Sequence, residues 1–153
     1  MKVKLIVCLG AAVVTSLGSG VAHAGSPTER ELRAGPPGGK VTGPDTVSWP
    51  GVTVTIAARR SVPVNYRRCP GKYVCLWQNR DATGRRIQFK RYGTYRLSNW
   101  GMSGRKGASS FYNHQCCGAH ATLIGPNFRL SLWTWGNIPR SMNDRATYVK
   151  LTR

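Results

Sequence analysis

The feature that most constrains the fold of this chain is the grouping of its apolar residues after Cys69. They form short runs rich in β-branched and aromatic residues, and turn formers such as Asp81–Gly84 and Ser103-Gly104 separate the runs. No apolar stripe follows the 3.6-residue period over a helical length. This pattern predicts an all-β fold, an antiparallel sandwich or barrel. The runs are Tyr73–Gln78, Arg86–Phe89, Ser109–Asn113, Ala121–Ile124, Leu130–Trp135 and Thr147–Leu151.

The first 24 residues have the three parts of a secretory signal peptide. Lys2 and Lys4 precede an apolar run that is too short to span a bilayer, and Ala22-His23-Ala24 provides small residues for cleavage. We therefore expect export, cleavage after Ala24 and no membrane anchor. Loss of residues 1–24 removes two basic residues and no acid, which lowers the net charge from +18 to +16.

Four cysteines follow the expected cleavage site: Cys69, Cys75, Cys116 and Cys117. An even number in a small exported chain predicts two disulfides. Pairing Cys69 with Cys75 would require a strained bridge between the neighbours Cys116 and Cys117. The other two connectivities join the two cysteine regions, and the sequence alone does not choose between them. The alternative is a zinc ion held by His114, Cys116, Cys117 and His120, although this spacing matches no standard zinc finger.

Residues 25–68 contain few large apolar residues and many residues that interrupt helices and strands. Pro36-Pro37-Gly38-Gly39 indicates a flexible leader or pro-segment. Within it, the alternation of Val52–Ile56 predicts a possible strand at 52–57. The expected organisation is therefore a signal peptide at 1–24, a leader at 25–68 and one β domain at 69–153.

Two stretches of the β domain have similar patterns. In the first, Trp77 is followed by Gly84 and then by Gly107–Ser110, and the second contains Ala121–Phe128 and Asn143–Tyr148. The pattern resembles the βγ-crystallin Greek-key pair and, more closely, the secreted bacterial peptidase inhibitors of family I36. This resemblance covers about residues 69–153. It implies a disulfide-stabilised, βγ-crystallin-like Greek-key β-sandwich with two Greek-key motifs.

The resemblance implies structural roles for four residues of the first motif. Trp77 would cover a folded hairpin, and Gly84 would adopt a backbone conformation that a side chain disfavours. Ser109 or Ser110 would hydrogen-bond back to the hairpin.

The strand expected at Tyr73–Gln78 should have two different faces. Because side chains alternate along a strand, Val74 and Leu76 should point into the core. Tyr73, Cys75 and Trp77 should then lie on the opposite face.

The second motif departs from the family pattern. Leu123 and Leu130 stand where the aromatic residue and the glycine are expected. Trp133 and Trp135 would then supply the missing aromatic cover.

Microbial crystallin-like domains often bind calcium through two oxygen-rich segments. In the first segment of this chain, Arg105 and Lys106 replace acid or amide residues and would repel Ca²⁺. The second segment keeps Asn143, Asp144 and Thr147, a degenerate set. We therefore expect no useful calcium affinity and no cofactor.

The composition of the β domain does not favour catalysis. Its two acids, Asp81 and Asp144, could form a glycosidase carboxylate pair, but roles in a turn and a loop are expected instead. The chain has no nucleophile elbow and no metallopeptidase helix motif. We therefore expect a protein that is not an enzyme.

The family resemblance implies a secreted inhibitor of extracellular peptidases, metallopeptidases first, that binds through a rigid loop. No inhibitory motif is readable, and composition alone marks the loops Asn99–Lys106 and Gly136–Asn143 as candidates. The alternative is a cationic protein that binds anionic cell-surface polymers, or a killer-toxin-like antimicrobial protein, because the positive charge attracts polyanions. Export argues against nucleic acid as a physiological partner.

Overall fold

The computed structural model describes residues 25–56 and 66–153. Within these residues it has one α-helix, α1 (Pro27–Ala34), and short 3-10 helices at Tyr66–Arg68, Leu97–Trp100 and Gly104–Lys106. The strands are β1 (Lys40–Gly43), β2 (Thr46–Trp49), β3 (Val52–Thr55), β4 (Val74–Trp77), β5 (Arg86–Phe89), β6 (Gly93–Arg96), β7 (Ser110–Asn113), β8 (His120–Ile124), β9 (Phe128–Leu130), β10 (Trp135–Asn137) and β11 (Tyr148–Thr152). In this part of the chain, no helix has the length and apolar character needed to cross a membrane.

The strands form two sheets in which every neighbouring pair is antiparallel. The first sheet has the order β1-β2-β3-β5-β4-β7-β10, and the second has the order β6-β11-β8-β9. The predicted all-β fold is therefore confirmed. The non-sequential strand order is consistent with a Greek-key sandwich, while the crystallin-like pair of motifs stays a prediction.

One main core lies between the two sheets. The first sheet contributes Val54, Leu76 and Ile87, and the second contributes Leu123 and Val149, all of them fully buried. Apolar side chains removed from water on both inner faces provide most of the favourable free energy in such a sandwich. The two sheets are therefore packed face to face through this core.

Residues 27–55 differ from the flexible leader expected at 25–68. Strand β3 pairs with β5 over four residues, Val52 to Phe89 through Thr55 to Arg86, so this segment extends the first sheet. Strand β3 lies at Val52–Thr55, within the possible strand at 52–57. The valines of β2 and β3 are buried in the main core, while the threonines of β3 are partly exposed.

The glycines and prolines before β1 wrap closely around Trp49. Its indole Nε1 donates a hydrogen bond to the carbonyl of Pro36 at 2.7 Å. A Cβ atom at Gly39 would lie only 2.5 Å from that nitrogen, so the close approach requires glycine. Residues that suggested flexibility in the sequence therefore serve to cover a buried aromatic side chain.

Helix α1 is fixed at its start and along its length. Ser26 and Glu29 form a reciprocal capping box, in which each side chain accepts a hydrogen bond from the other residue's backbone N–H. Farther along, the Glu31 carboxylate forms an ion pair with Arg85, which lies just before β5. The helix is thereby attached to the β domain.

A second, smaller cluster lies on the outer face of the first sheet. We call it the outer cluster: Cys69, Cys75, Trp77 and Ala82, with Tyr66, Tyr73 and Tyr112 packed against them. Val74 and Leu76 of the same strand point into the main core. The predicted two-faced character of strand β4 is therefore confirmed.

The run Leu130–Trp135 is not one strand, and its tryptophans do not cover the second hairpin. The chain turns between β9 and β10, and Trp133 adopts a positive φ of 57°. Strand β10 pairs with β7 in the first sheet, where Trp135 packs against Tyr66 with ring centroids 4.4 Å apart. That expectation was wrong because the chain crosses to the other sheet at this point.

Candidate inhibitory surface

The hairpin between β4 and β5 is folded back on itself and held by Ser110. The Ser110 hydroxyl donates to the Asn79 carbonyl at 2.7 Å and accepts a hydrogen bond from the Ala82 amide at 3.1 Å. Gly84 has a φ of +76°, and a Cβ atom there would lie 2.7 Å from the Asn79 side chain. Trp77 lies buried beneath this hairpin in the outer cluster.

The second candidate serine has a different role. The Ser109 hydroxyl makes a long contact of 3.4 Å with Asp144 Oδ1 and does not reach the hairpin. Its backbone instead links strands, because its N–H donates to the Trp77 carbonyl at 2.9 Å. The hairpin contact therefore belongs to Ser110.

The outer cluster is stapled by a disulfide between Cys69 and Cys75, both of which are buried. Burial is the main cause that raises the pKa of Tyr66 in this cluster, and the negative charge of Asp81 raises it further. Arg86 crosses the outer face beside the cluster. Its guanidinium donates to the carbonyl of Arg68 at 3.0 Å and to the hydroxyl of Thr55 at 3.2 Å.

The loop Gly136–Asn143 is anchored at its first residues to the folded hairpin. Asn137 and Asp81 form a reciprocal pair: the Asp81 backbone N–H donates to the Asn137 side-chain oxygen Oδ1, and the Asn137 side-chain amide donates to the Asp81 carboxylate, each at 2.7 Å. Next, Ile138 is fully buried, and its backbone carbonyl accepts from Arg80 at 3.3 Å. This end of the loop is therefore rigidly attached.

The far end of the same loop is also held. The guanidinium of Arg145 donates to the Ser141 carbonyl at 3.0 Å, and Met142 packs against the main core. Between the two anchors, Pro139, Arg140 and Ser141 are exposed. The loop thus presents a short exposed tip from a fixed base.

The loop Asn99–Lys106 has a more helical backbone. It starts at the end of one 3-10 helix and finishes in another at Gly104–Lys106, and Met102 between them is fully buried. Arg105 and Lys106 are exposed at its end. This loop offers a cationic tip, but not an extended backbone.

The two calcium-like segments meet in space. The Asp144 carboxylate accepts from Ser109 and, at 2.7 Å, from the amide of Asn143, while the Thr147 hydroxyl donates to the Ile124 carbonyl at 3.2 Å. A cavity of about 400 Å³ beside them is also lined by Arg96 and Arg145. The Asp144 carboxylate and the Thr147 hydroxyl are thus engaged with protein groups next to two cations, while Asn143 Oδ1 is buried with no hydrogen-bond partner among the described residues.

The four zinc candidates do not form one site. His114 Nδ1 lies 2.8 Å from the Cys69 carbonyl, and His120 Nδ1 lies 2.8 Å from the guanidinium of Arg129. Cys116 and Cys117 stay together on a separate turn as free thiols. Over residues 25–56 and 66–153, no three side chains of His, Cys, Asp or Glu are grouped as a metal site requires.

The acids of the β domain are likewise separate. Asp81 is bonded to Asn137, and Asp144 is bonded to Asn143. Each carboxylate fixes a loop, which matches the structural roles expected for them in a turn and a loop.

The surface charge is largely unpaired. In the part of the chain that the structure describes, the pair between Glu31 and Arg85 is the one ion pair. With 23 Lys and Arg residues against five acids, most cations have no carboxylate with which to pair. The protein therefore presents a positive surface to its surroundings.

Residues 63–129 match the model of a known family, peptidase inhibitor family I36. The predicted family is confirmed. The I36 segment includes β4–β8, the folded hairpin, the disulfide and the loop Asn99–Lys106. The match to a peptidase inhibitor family indicates an inhibitor rather than an enzyme, as expected. No curated protein and no solved structure matches the chain.

The sequence missed the residues that hold the loop Gly136–Asn143. The loop lies beyond the I36 segment, yet Asp81 and Arg80 of that segment anchor it. Asp81 and Asn137 are 56 residues apart. A local pattern cannot report such a contact, although the turn-forming residues around Asp81 did identify its hairpin.

Proposed function

We propose that this protein is a secreted inhibitor of extracellular peptidases, with metallopeptidases as the first target class. The match of residues 63–129 to family I36 carries this proposal. The two packed sheets and the Cys69–Cys75 disulfide support it, because a rigid scaffold loses little conformational entropy when it docks.

The loop Gly136–Asn143 is the proposed inhibitory loop. The loop begins within strand β10, which is an edge strand of the first sheet among the described residues. One backbone edge of β10 is therefore open to a partner. Peptide recognition often uses such added-strand pairing. Anchors on both sides of Pro139, Arg140 and Ser141 favour a preformed tip. The 3-10 turns of Asn99–Lys106 fit an extended cleft less well.

The inhibitory activity is tested with the protein secreted from the full chain. It is incubated at stoichiometric excess with a thermolysin-like metallopeptidase and, separately, with a subtilisin-like serine peptidase. We expect the metallopeptidase to lose activity and the serine peptidase to keep it. Inhibition of the serine peptidase alone would overturn the target class, and activity of both enzymes would overturn the inhibitor function.

The loop is tested by a matched pair of charge reversals. Arg140→Glu changes the exposed tip of Gly136–Asn143, and Arg105→Glu makes the same change in Asn99–Lys106. Because arginine is enriched among the minority of interface residues whose loss costs more than about 1 kcal/mol, we expect Arg140→Glu at the exposed tip to weaken inhibition about tenfold. A larger effect of Arg105→Glu would move the inhibitory surface to the other loop.

Export through the signal peptide at 1–24 is part of the proposal. These residues lie outside the described part of the chain. The positive start, the short apolar run and Ala22-His23-Ala24 support cleavage after Ala24. Intact-mass measurement of the secreted protein should give Gly25 as the first residue, and any later first residue would point to removal of further chain.

Binding to anionic cell-surface polymers is a second candidate function. It is favoured by the excess of cations, since the described residues contain one ion pair and most Lys and Arg side chains have no carboxylate partner. Such binding should weaken steeply as salt is added, because it depends on the release of counterions. A shape-matched inhibitor should lose much less affinity. The protein is therefore applied to a heparin column alone and in complex with its peptidase. Elution of both at low salt would argue against this second function.

A further inference from the structure

The turn Cys116–Ala119 carries two thiols in an unusually close arrangement. The Sγ atoms of Cys116 and Cys117 lie 2.7 Å apart. A disulfide bond is about 2.05 Å long, so the two sulfurs need to move by only about 0.7 Å to become bonded. Neither thiol takes part in the disulfide of the outer cluster, which joins Cys69 to Cys75.

The backbone on each side of this turn is firmly held. Gln115 and Ala119 are 3% and 2% exposed, and the Ala119 amide donates to the Cys116 carbonyl at 3.2 Å. Cys117 and Gly118, the two central residues, have positive φ values of 63° and 77°, as in a type I′ turn. The turn thus keeps the two sulfurs side by side and points Cys117 towards solvent.

We propose that Cys116 and Cys117 are a redox-active site that forms a disulfide between neighbouring residues when the exported protein meets a disulfide oxidant. Among the cysteines of residues 25–56 and 66–153, the existing Cys69–Cys75 bond leaves each of them the other as its partner. The proposal does not depend on the inhibitor function.

The reaction is an ordinary thiol–disulfide exchange. The thiolate of Cys117, the more exposed residue, attacks one sulfur of the oxidant and expels the first thiolate. Cys116 then loses its proton, and its thiolate attacks the Cys117 sulfur of this mixed disulfide. The oxidant's second sulfur leaves as a thiolate. One S–S bond forms in the protein, one breaks in the oxidant, and the oxidant leaves as two thiols with two electrons and two protons gained.

The order of attack agrees with the electrostatics of the pair. The hydrogen bond with Cys117 is the main cause that raises the pKa of the Cys116 thiol. This direction agrees with a first attack by Cys117, which is the more exposed of the two thiols.

This bond should be easier to reduce than the one in the outer cluster. Neighbouring Cα atoms are about 3.8 Å apart, which is below the usual range of about 4.4–6.8 Å for bridged cysteines. Exposed and strained disulfides have higher reduction potentials than buried structural ones. Cys69 and Cys75 are 1% and 0% exposed, whereas Cys117 is exposed. The two bonds would thus give one protein a structural bridge and a reversible one.

The test is peptide mapping of the protein secreted from the full chain. It is treated with oxidised glutathione, alkylated without reductant and digested. We expect the peptide with Cys116 and Cys117 to be unalkylated and lighter by two hydrogen atoms than its reduced form. Alkylation of both thiols, a bond to Cys69 or Cys75, or a link to a second chain would overturn the proposal.

A graded reduction then separates the two bonds. In buffers with increasing ratios of reduced to oxidised dithiothreitol, the Cys116–Cys117 bond should open at a ratio at least about tenfold lower than the Cys69–Cys75 bond. Equal ratios would contradict the reversible site. Cys117→Ser is the control, because it should leave one free thiol at Cys116 and an unchanged Cys69–Cys75 bond.

Discussion

Residues 27–55 and residues 69–153 both contribute strands to the first sheet, but their sequences look very different. The later region has the alternating apolar runs of a β domain, and the earlier one is dominated by glycine, proline and small polar residues. Nevertheless Val47 and Val54 of the earlier region are as deeply buried as Val74 and Ile87 of the later one. A strand needs few apolar residues to join a sheet when only one of its faces is buried and the neighbouring strands already supply the rest of the core.

Deleting residues 27–55 is the strongest way to break this comparison. The deletion would uncover the main core beside β5 and remove the cover provided by Trp49, Val52 and Val54. We expect the loss of cooperative folding, a change as large as the whole stability of a small domain, about 5–15 kcal/mol. Thermal unfolding followed by circular dichroism measures it. A shortened chain that melts cooperatively at the original temperature would make the segment a dispensable leader after all.

Two matched substitutions compare the regions at single positions. Val54→Ala in β3 and Val74→Ala in β4 remove the same atoms from side chains that are both fully buried. We expect each to lower the free energy of unfolding by about 2 kcal/mol, since both leave a gap in one core. Urea unfolding of the two variants decides the matter. A negligible loss for Val54→Ala beside a full loss for Val74→Ala would mean that β3 is only loosely attached.

The sequence predicted the later region well because its signals are local. The alternation in Tyr73–Gln78 identified strand β4 and both of its faces, and the turn residues at Asp81–Gly84 identified the hairpin. The flexible leader predicted for the earlier region was wrong for residues 27–55, because glycine and proline residues such as Gly39 and Pro36 occur both in flexible chains and in tightly packed loops. In a free chain they favour flexibility, whereas here they allow the backbone to approach Trp49.

The candidate site was predictable only in part. Composition indicated Gly136–Asn143 as a loop, but its anchors depend on Asp81, which is distant in sequence. Trp135 was assigned to the wrong hairpin because strand β10 crosses to β7. Long-range pairing of this kind depends on the packing of the two sheets, and a short sequence window contains no record of it.

In the later region, a side chain rather than strand pairing holds the folded hairpin between β4 and β5, and that side chain is Ser110. Ser110→Ala removes a hydrogen bond to Asn79 and leaves the buried Ala82 amide without its acceptor. We expect a loss of about 1.5 kcal/mol. Ser109→Ala is the matched control and should change stability by less than about 0.5 kcal/mol, because its hydroxyl makes only a long contact. Equal losses in urea unfolding would contradict the assignment of the hairpin contact to Ser110.

The ion pair between Glu31 and Arg85 links helix α1 to the later region, and it should give the smallest effect. Arg85 also donates to the Trp100 carbonyl at 3.2 Å, so a single substitution there would change two contacts. A double-mutant cycle with Glu31→Gln and Arg85→Gln isolates the pair itself.

We expect a coupling free energy of about 1 kcal/mol or less between Glu31 and Arg85, since Arg85 remains partly open to solvent. The coupling should fall as salt is added, because screening weakens a partly exposed pair more than it weakens apolar packing. A coupling of zero at low salt would mean that the ion pair adds nothing to the attachment of α1, and that the pairing of β3 with β5 and the buried valines hold the two regions together.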